Sequence, residues 1–282
     1  MKIPRAIITA AGRQQRKIPL QTFVDRNGSA RSVLQLLLEE VAPSGVEEIA
    51  IVIRPDDQKP YEDAAGDMAS KVTFVEQKEP NGYGDAVLQA AEFAGGDPFL
   101  LMVSDHMFVS DSDGKTCAQQ LVDRASRLEC SVSAVQATHE ANLPYFGTIG
   151  GQRFAGEESV FEIDRVIEKP TPTEAEQSLL VPGLRMGYYL CFHGMHVLTS
   201  QVFDVLREHQ SALADGEPLQ LSPALDQLAR DERYLAYQME GRRYDLEGQY
   251  GLLMAQLAIA MDGKDREDVL AGIVDLLAHI RR

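Results

Sequence analysis

Five stretches of the chain carry residue types whose spacing suits chemistry. Ala10-Ala11-Gly12-Arg13-Gln14-Gln15-Arg16 directly follows an apolar run. A strand that runs into a small-residue turn lets the backbone N–H groups of Ala11 and Gly12 approach phosphate oxygens, and Arg16 adds a charged fork. Between Gln77 and Val87 the chain reads QKEPNGYGDAV. Gly82 and Gly84 remove side chains, so a flat base or sugar can lie on the backbone, and the Gln77 amide can read a base edge. Asp105 ends the apolar run Phe99–Ser104. A carboxylate there can hold a hard cation that bridges phosphates. Its neighbour His106 is expected to point to the other face of an extended segment. In Glu168-Lys169-Pro170, Glu168 can accept from hydroxyls, Lys169 is a compact charge for phosphate, and Pro170 keeps Lys169 out of a helix. Asp245, in Tyr244-Asp245-Leu246-Glu247-Gly248, supplies a second carboxylate for the same cation. Each stretch also has a plainer reading. These are a tight turn, a glycine turn feeding a helix, a strand-end aspartate, a surface Glu–Lys pair and a turn aspartate capping a helix.

Such residues need a scaffold. Short β-branched runs at Arg5–Ala10, Glu48–Arg54, Val72–Glu76 and Pro98–Ser104 alternate with helical patterns at Ser32–Val41, Asp63–Ala69 and Gly84–Ala94. Near-continuous apolar strands alternating with helices predict a mostly parallel sheet covered on both faces, with ligands beyond the carboxyl ends of its strands. After Asp105 the pattern changes. A helix at Thr116–Arg127 precedes strands at Ser131–Gln136, Phe146–Gly151, Val160–Glu168, Arg185–Phe192 and Tyr234–Met239. Helices return at Ser200–Glu208, Ser222–Arg230, Gln249–Met261 and Asp268–His279, while Thr171–Ser178 reads as a surface loop and Asp111-Ser112-Asp113 as a turn. The pattern predicts one α/β domain over residues 1–282. Residues 1–110 would be the nucleotide-binding half, 111–248 the sugar-phosphate-binding half with a small antiparallel excursion, and 249–282 C-terminal helices. The apolar stripe Val269, Leu270, Ile273, Leu276, Leu277 and Ile280 is expected to pack on the core; the sharper reading is self-association into a homo-oligomer.

Composition narrows the partners. The formal net charge of -16 disfavours nucleic acid and anionic membranes. Cys117, Cys130 and Cys191 show neither metal-ligand spacing nor a disulfide framework, which fits a cytoplasmic protein. The N-terminal run is neither a signal peptide nor a membrane span.

Taken in order, Ala11-Gly12…Arg16, Gln77…Gly82-Tyr83-Gly84-Asp85-Ala86, Asp105, Tyr145-Phe146-Gly147, Glu168-Lys169-Pro170, Gly194, Leu219-Gln220-Leu221-Ser222 and Asp245…Gly248 resemble the bacterial UTP–glucose-1-phosphate uridylyltransferase family. The resemblance covers almost the whole chain. It implies a Rossmann-like nucleotidyltransferase fold and transfer of a nucleotidyl group from UTP to glucose 1-phosphate or a related sugar 1-phosphate, with Mg²⁺. Carried over residue by residue, it gives Ala11 and Gly12 to the nucleotide and Arg16 to the triphosphate. Gln77, Gly82 and Gly84 fall to the base, and Asp105 and Asp245 to Mg²⁺. Gly147, Glu168 and Gly194 line the sugar pocket, and Lys169 holds the sugar phosphate. The first loop departs from the family's G-x-G-T-R: Gln14 and Gln15 replace glycine and threonine, and no Pro-Lys pair follows. Three other readings remain. One is a non-catalytic relative that binds a nucleotide sugar, one a nucleotidyltransferase using another triphosphate such as dTTP, and one a glycosyltransferase.

Overall fold

The computed structural model describes residues 1–13 and 15–279. Gln14 and Ile280, both singled out above, lie outside the described residues. In chain order the strands are β1 (Arg5–Thr9), β2 (Thr22–Val24), β3 (Ala30–Ser32), β4 (Glu48–Ile53), β5 (Val72–Glu76), β6 (Phe99–Val103), β7 (His106–Ser110), β8 (Ser131–His139), β9 (Gly147–Arg153), β10 (Val160–Glu168), β11 (Tyr188–Leu198), β12 (Tyr234–Gln238) and β13 (Gly241–Asp245). The helices are α1 (Val33–Val41), α2 (Gln58–Ala65), α3 (Tyr83–Gln89), α4 (Ala91–Ala94), α5 (Cys117–Leu128), α6 (Pro172–Ser178), α7 (Gln201–Ala212), α8 (Leu221–Asp231), α9 (Gly251–Met261) and α10 (Arg266–His279).

Nine strands form one sheet in the order β5-β4-β1-β6-β11-β8-β12-β10-β9. β1, β4, β5 and β6 run parallel, as their unbroken apolar character requires. The antiparallel excursion joins that sheet through β11, which pairs with β6 and β8. Strand alternation divides the core. Ala6 and Ile8 face the layer of α1, α2 and α5, whereas Ile7 faces α3, α7 and α8. Two smaller ribbons, β2–β3 and β7–β13, sit beside the main sheet.

Several elements differ from the sequence expectations for physical reasons. Thr171–Ser178 is helical, not a loop. Thr171 caps Glu174 N–H, the Glu174 side chain returns to the Thr171 N–H, and Pro172 occupies the first turn. The expected Asp63–Ala69 helix begins earlier, at Gln58, and stops at Ala65, where Gly66 (φ 55°) opens a 3-10 turn. The expected Gly84–Ala94 helix breaks at Ala90. β7 and β13 form a ribbon because Gly241 admits close approach: a Cβ there would meet Val109 O at 2.8 Å. The α10 stripe does not pack on the core. α10 buries no described residue, and Leu276 and Leu277 are exposed. Among the described residues no helix is long and apolar enough to cross a membrane.

Candidate active site

The carboxyl ends of β1, β5 and β6 open on a cavity of about 420 Å³. Ala11, Gly12, Gln77, Gly82, Asp105, Glu168, Lys169 and Asp245 line it, from segments up to 234 residues apart (Ala11 to Asp245, 245 − 11). Thus the structure brings together most of the residues singled out from sequence.

The two aspartates arrive by backbone pairing. His106 lies opposite Asp245 in the β7–β13 register, and the Leu246 N–H donates to the Asp105 carbonyl at 2.8 Å. Asp105 Oδ1 is 2.7 Å from His106 Nδ1. This corrects the expectation that His106 turns away. The chain bends at Ser104–Asp105 between β6 and β7, so strand alternation does not operate across these residues. Asp245 Oδ1 accepts the N–H groups of Glu247 and Gly248 at 2.9 and 3.2 Å. Asp245 thus closes a turn as the plainer reading held, but it does not cap the following helix, whose N-cap is Tyr250 without a side-chain cap bond, and its Oδ2 is left for a ligand.

On the opposite wall, Glu168 Oε2 accepts from Ser222 Oγ at 2.6 Å. Lys169 adopts φ 48°, in the left-handed region, while its N–H donates to the Phe146 carbonyl at 3.2 Å. For a residue with a Cβ this costs about 1–2 kcal/mol, and such strain collects at functional sites. Gly147 lies behind Glu168: a Cβ there would stand 2.9 Å from Glu168 Oε2 and 2.8 Å from the Phe192 ring. Gly194 (φ 88°) sits in the β11 bulge against Val103, where a Cβ would stand 2.8 Å from the valine methyl. Both glycines shape the wall from outside the cavity lining.

The glycine loop works differently from the expectation. A Cβ at Gly82 (φ 106°) would stand 2.3 Å from the Leu219 carbonyl oxygen, and one at Gly84 would stand 2.8 Å from that of Gln220. The missing side chains admit the chain's own segment 219–220, which bonds back through Gly84 N–H to Leu219 O and Leu219 N–H to Asn81 O. Gly84 does not line the cavity, but Gly82 does.

Arg16 also stands outside the cavity lining. Its Nη1 donates to both Asp57 carboxylate oxygens at 3.2 Å, and its carbonyl accepts from Tyr61. Arg13 takes a place in the lining instead. Gln15 folds onto Gly12, and its Nε2 donates to Glu247 Oε2 at 3.1 Å. Sequence reasoning assigned no role to Tyr83, Tyr145, Ser222 or Glu247, which also line the site. The Leu219–Ser222 motif was the one available signal for Ser222.

Asp105, Glu168, Asp245 and Glu247 face only Arg13 and Lys169 among the charged lining residues described. Polyanionic phosphates entering such a cavity require a cation. Two hard carboxylates with unshared oxygens suit a hard divalent cation, and no third His, Cys, Asp or Glu completes a protein cage among the described residues.

The family model described as "Nucleotidyl transferase" matches residues 6–249. A UTP–glucose-1-phosphate uridylyltransferase of Streptococcus pyogenes is 28% identical over 303 aligned positions, covering 98% of this chain and 95% of that protein. A crystal structure of UDP-glucose pyrophosphorylase complexed with UDP-glucose superposes with TM-score 0.74 at 23% identity, covering 91% of this chain and 98% of that one. A UTP-bound UGPase from Acinetobacter baumannii gives TM-score 0.74 at 20% identity, over 99% of this chain and 100% of that one. At these identities the structural likenesses establish the fold.

Proposed function

The chain belongs to the nucleotidyl transferase family, and from that premise we propose that it transfers the uridylyl group of UTP to glucose 1-phosphate or a related sugar 1-phosphate, releasing pyrophosphate. The observation that carries this reading is the meeting of Asp105, Asp245, Glu168, Lys169 and Gln77 in one cavity at the strand ends. A phosphate oxygen of the sugar phosphate attacks the α-phosphorus in line. The new P–O bond forms as the bond to pyrophosphate breaks, so no protein nucleophile is needed. Lys169 holds the attacking phosphate, Glu168 accepts sugar hydroxyls, and Gln77 meets the base. Asp105 and Asp245 would hold Mg²⁺, which when bound would supply charge neutralisation for the triphosphate and the leaving pyrophosphate. Three free, buried cysteines accord with a reducing, cytoplasmic setting.

Two contacts in the first loop favour a second reading, a relative that binds nucleotide sugar without turnover: Gln15 covers Gly12, and Arg16 is tied to Asp57. Pyrophosphate release with Mg²⁺ separates the two. We expect release that needs both UTP and glucose 1-phosphate and that Asp105→Ala abolishes. Bound UDP-glucose with no release from any triphosphate–sugar phosphate pair would establish the second reading instead.

A further inference from the structure

Tyr145 and Asp245 also border a second cavity, of about 540 Å³, reached by Arg243 of β13 and by the end of β8. The proposed reaction makes no use of it. Arg243 Nε and Nη1 are buried without a hydrogen-bond partner, and its guanidinium lies 3.9 Å from the centre of the Phe146 ring. The ring attracts the cation but offers it no acceptor. A guanidinium keeps its charge at neutral pH even when enclosed. Two buried guanidinium donors with no acceptor are unfavourable until an anion joins them.

Gln136, His139 and Asn142, all able to donate, line the same space. Gln136 Oε1 accepts the Arg243 backbone N–H at 3.4 Å, which leaves its Nε2 hydrogens for a ligand. His139 Nδ1 accepts the Ala141 N–H at 3.2 Å, so the neutral ring carries its proton on Nε2. Asn142 adds a further amide. Asp245 is the one carboxylate among the described lining residues.

We propose that this second cavity is an anion subsite for a phosphate-type oxyanion, with Arg243 as its cation and Gln136 and His139 as added donors. The inference stands on these contacts and not on the reaction assigned above. Calorimetric titration of inorganic phosphate into Lys169→Gln protein tests it, because that variant lacks the lysine of the first cavity. Phosphate is expected still to bind, and adding Arg243→Gln should weaken it about tenfold or more. Gln249→Glu, at the exposed lip, should weaken binding in the same direction without touching the buried residues. That variant decides the matter if Arg243→Gln does not fold. No phosphate binding to Lys169→Gln, or an affinity unmoved by these substitutions, overturns the proposal. Displacement of phosphate by glucose 1-phosphate or by UTP assigns the subsite to that substrate's phosphate; no displacement assigns it to the free ion.

Discussion

The Gln77 side-chain amide donates to Asp85 Oδ2 at 2.6 Å, and through the same nitrogen to the Gly82 carbonyl at 3.2 Å. Both partners are pure acceptors, which fixes the amide with its nitrogen inward. Asp85 is buried and is held in turn by Gln89 Nε2 at 3.1 Å. The atom of Gln77 left for a ligand is Oε1, an acceptor. It complements the N3–H of uracil and opposes the bare N3 of cytosine.

The base preference follows from that orientation. Asp85→Asn supplies a donor and lets the Gln77 amide turn over. The ratio of kcat/KM for UTP to that for CTP should fall about tenfold. Competition kinetics with both triphosphates measure it, and an unchanged ratio means that Gln77 does not read the base.

Asp245 tests the metal separately from the fold. Asparagine can keep the Oδ1 bonds to the Glu247 and Gly248 N–H groups while losing the charge. Asp245→Asn should therefore melt like the native protein but need about tenfold more Mg²⁺ for half-maximal rate. A Mg²⁺ dependence like that of the native protein would leave Asp245 with its cap role alone.

The parallel half of the sheet was legible because its strands are buried on both faces and read as unbroken apolar runs. Asp105 was legible for the same reason: it ends such a run. The glycines at 82 and 84 were visible, but their cause was not. What they accommodate is the segment 219–220, more than 130 residues away (219 − 84). Long-range approach of this kind leaves no local periodicity. Arg243 was passed over because an arginine in a polar stretch looks solvent-exposed. Its enclosure depends on Phe146 and on the β7–β13 ribbon. The α6 helix was readable in principle from Thr171-Pro172-x-Glu174, whose composition alone suggested a loop.

Glu40 should make stability depend on pH. Its Oε1 accepts the Ala118 N–H at 2.8 Å at the start of α5, yet burial pushes its carboxyl up to about 7, above the ordinary 4.5. Between these values the folded chain keeps a proton that the unfolded chain has released. The stability from this group is thus full below about pH 4.5 and is lost as pH rises through about 7. Glu40→Gln preserves an acceptor and removes the titration. Thermal melts of both proteins should show the native chain losing ground to the variant from about pH 5 to about pH 7.5. Parallel melting curves across that range would mean that Glu40 titrates as an ordinary surface carboxylate.

The first loop yields the last prediction. Gln15 Oε1 lies 2.1 Å from where a Gly12 Cβ would stand, so the side chain covers the backbone that is to meet phosphate. The nitrogen of the same amide donates to Glu247 Oε2 at 3.1 Å. Triphosphate can reach Gly12 only after this contact opens, and a single exposed hydrogen bond is a small barrier to that. Gln15→Ala removes both the cover and the fastening. It should raise kcat/KM for UTP by about three- to tenfold, expressed mainly in KM, because the competent loop no longer has to be released. Steady-state rates at saturating sugar phosphate give the comparison. A lower kcat/KM would show that Gln15 instead takes part in holding the triphosphate, and that the glutamine has replaced the family's threonine in its role.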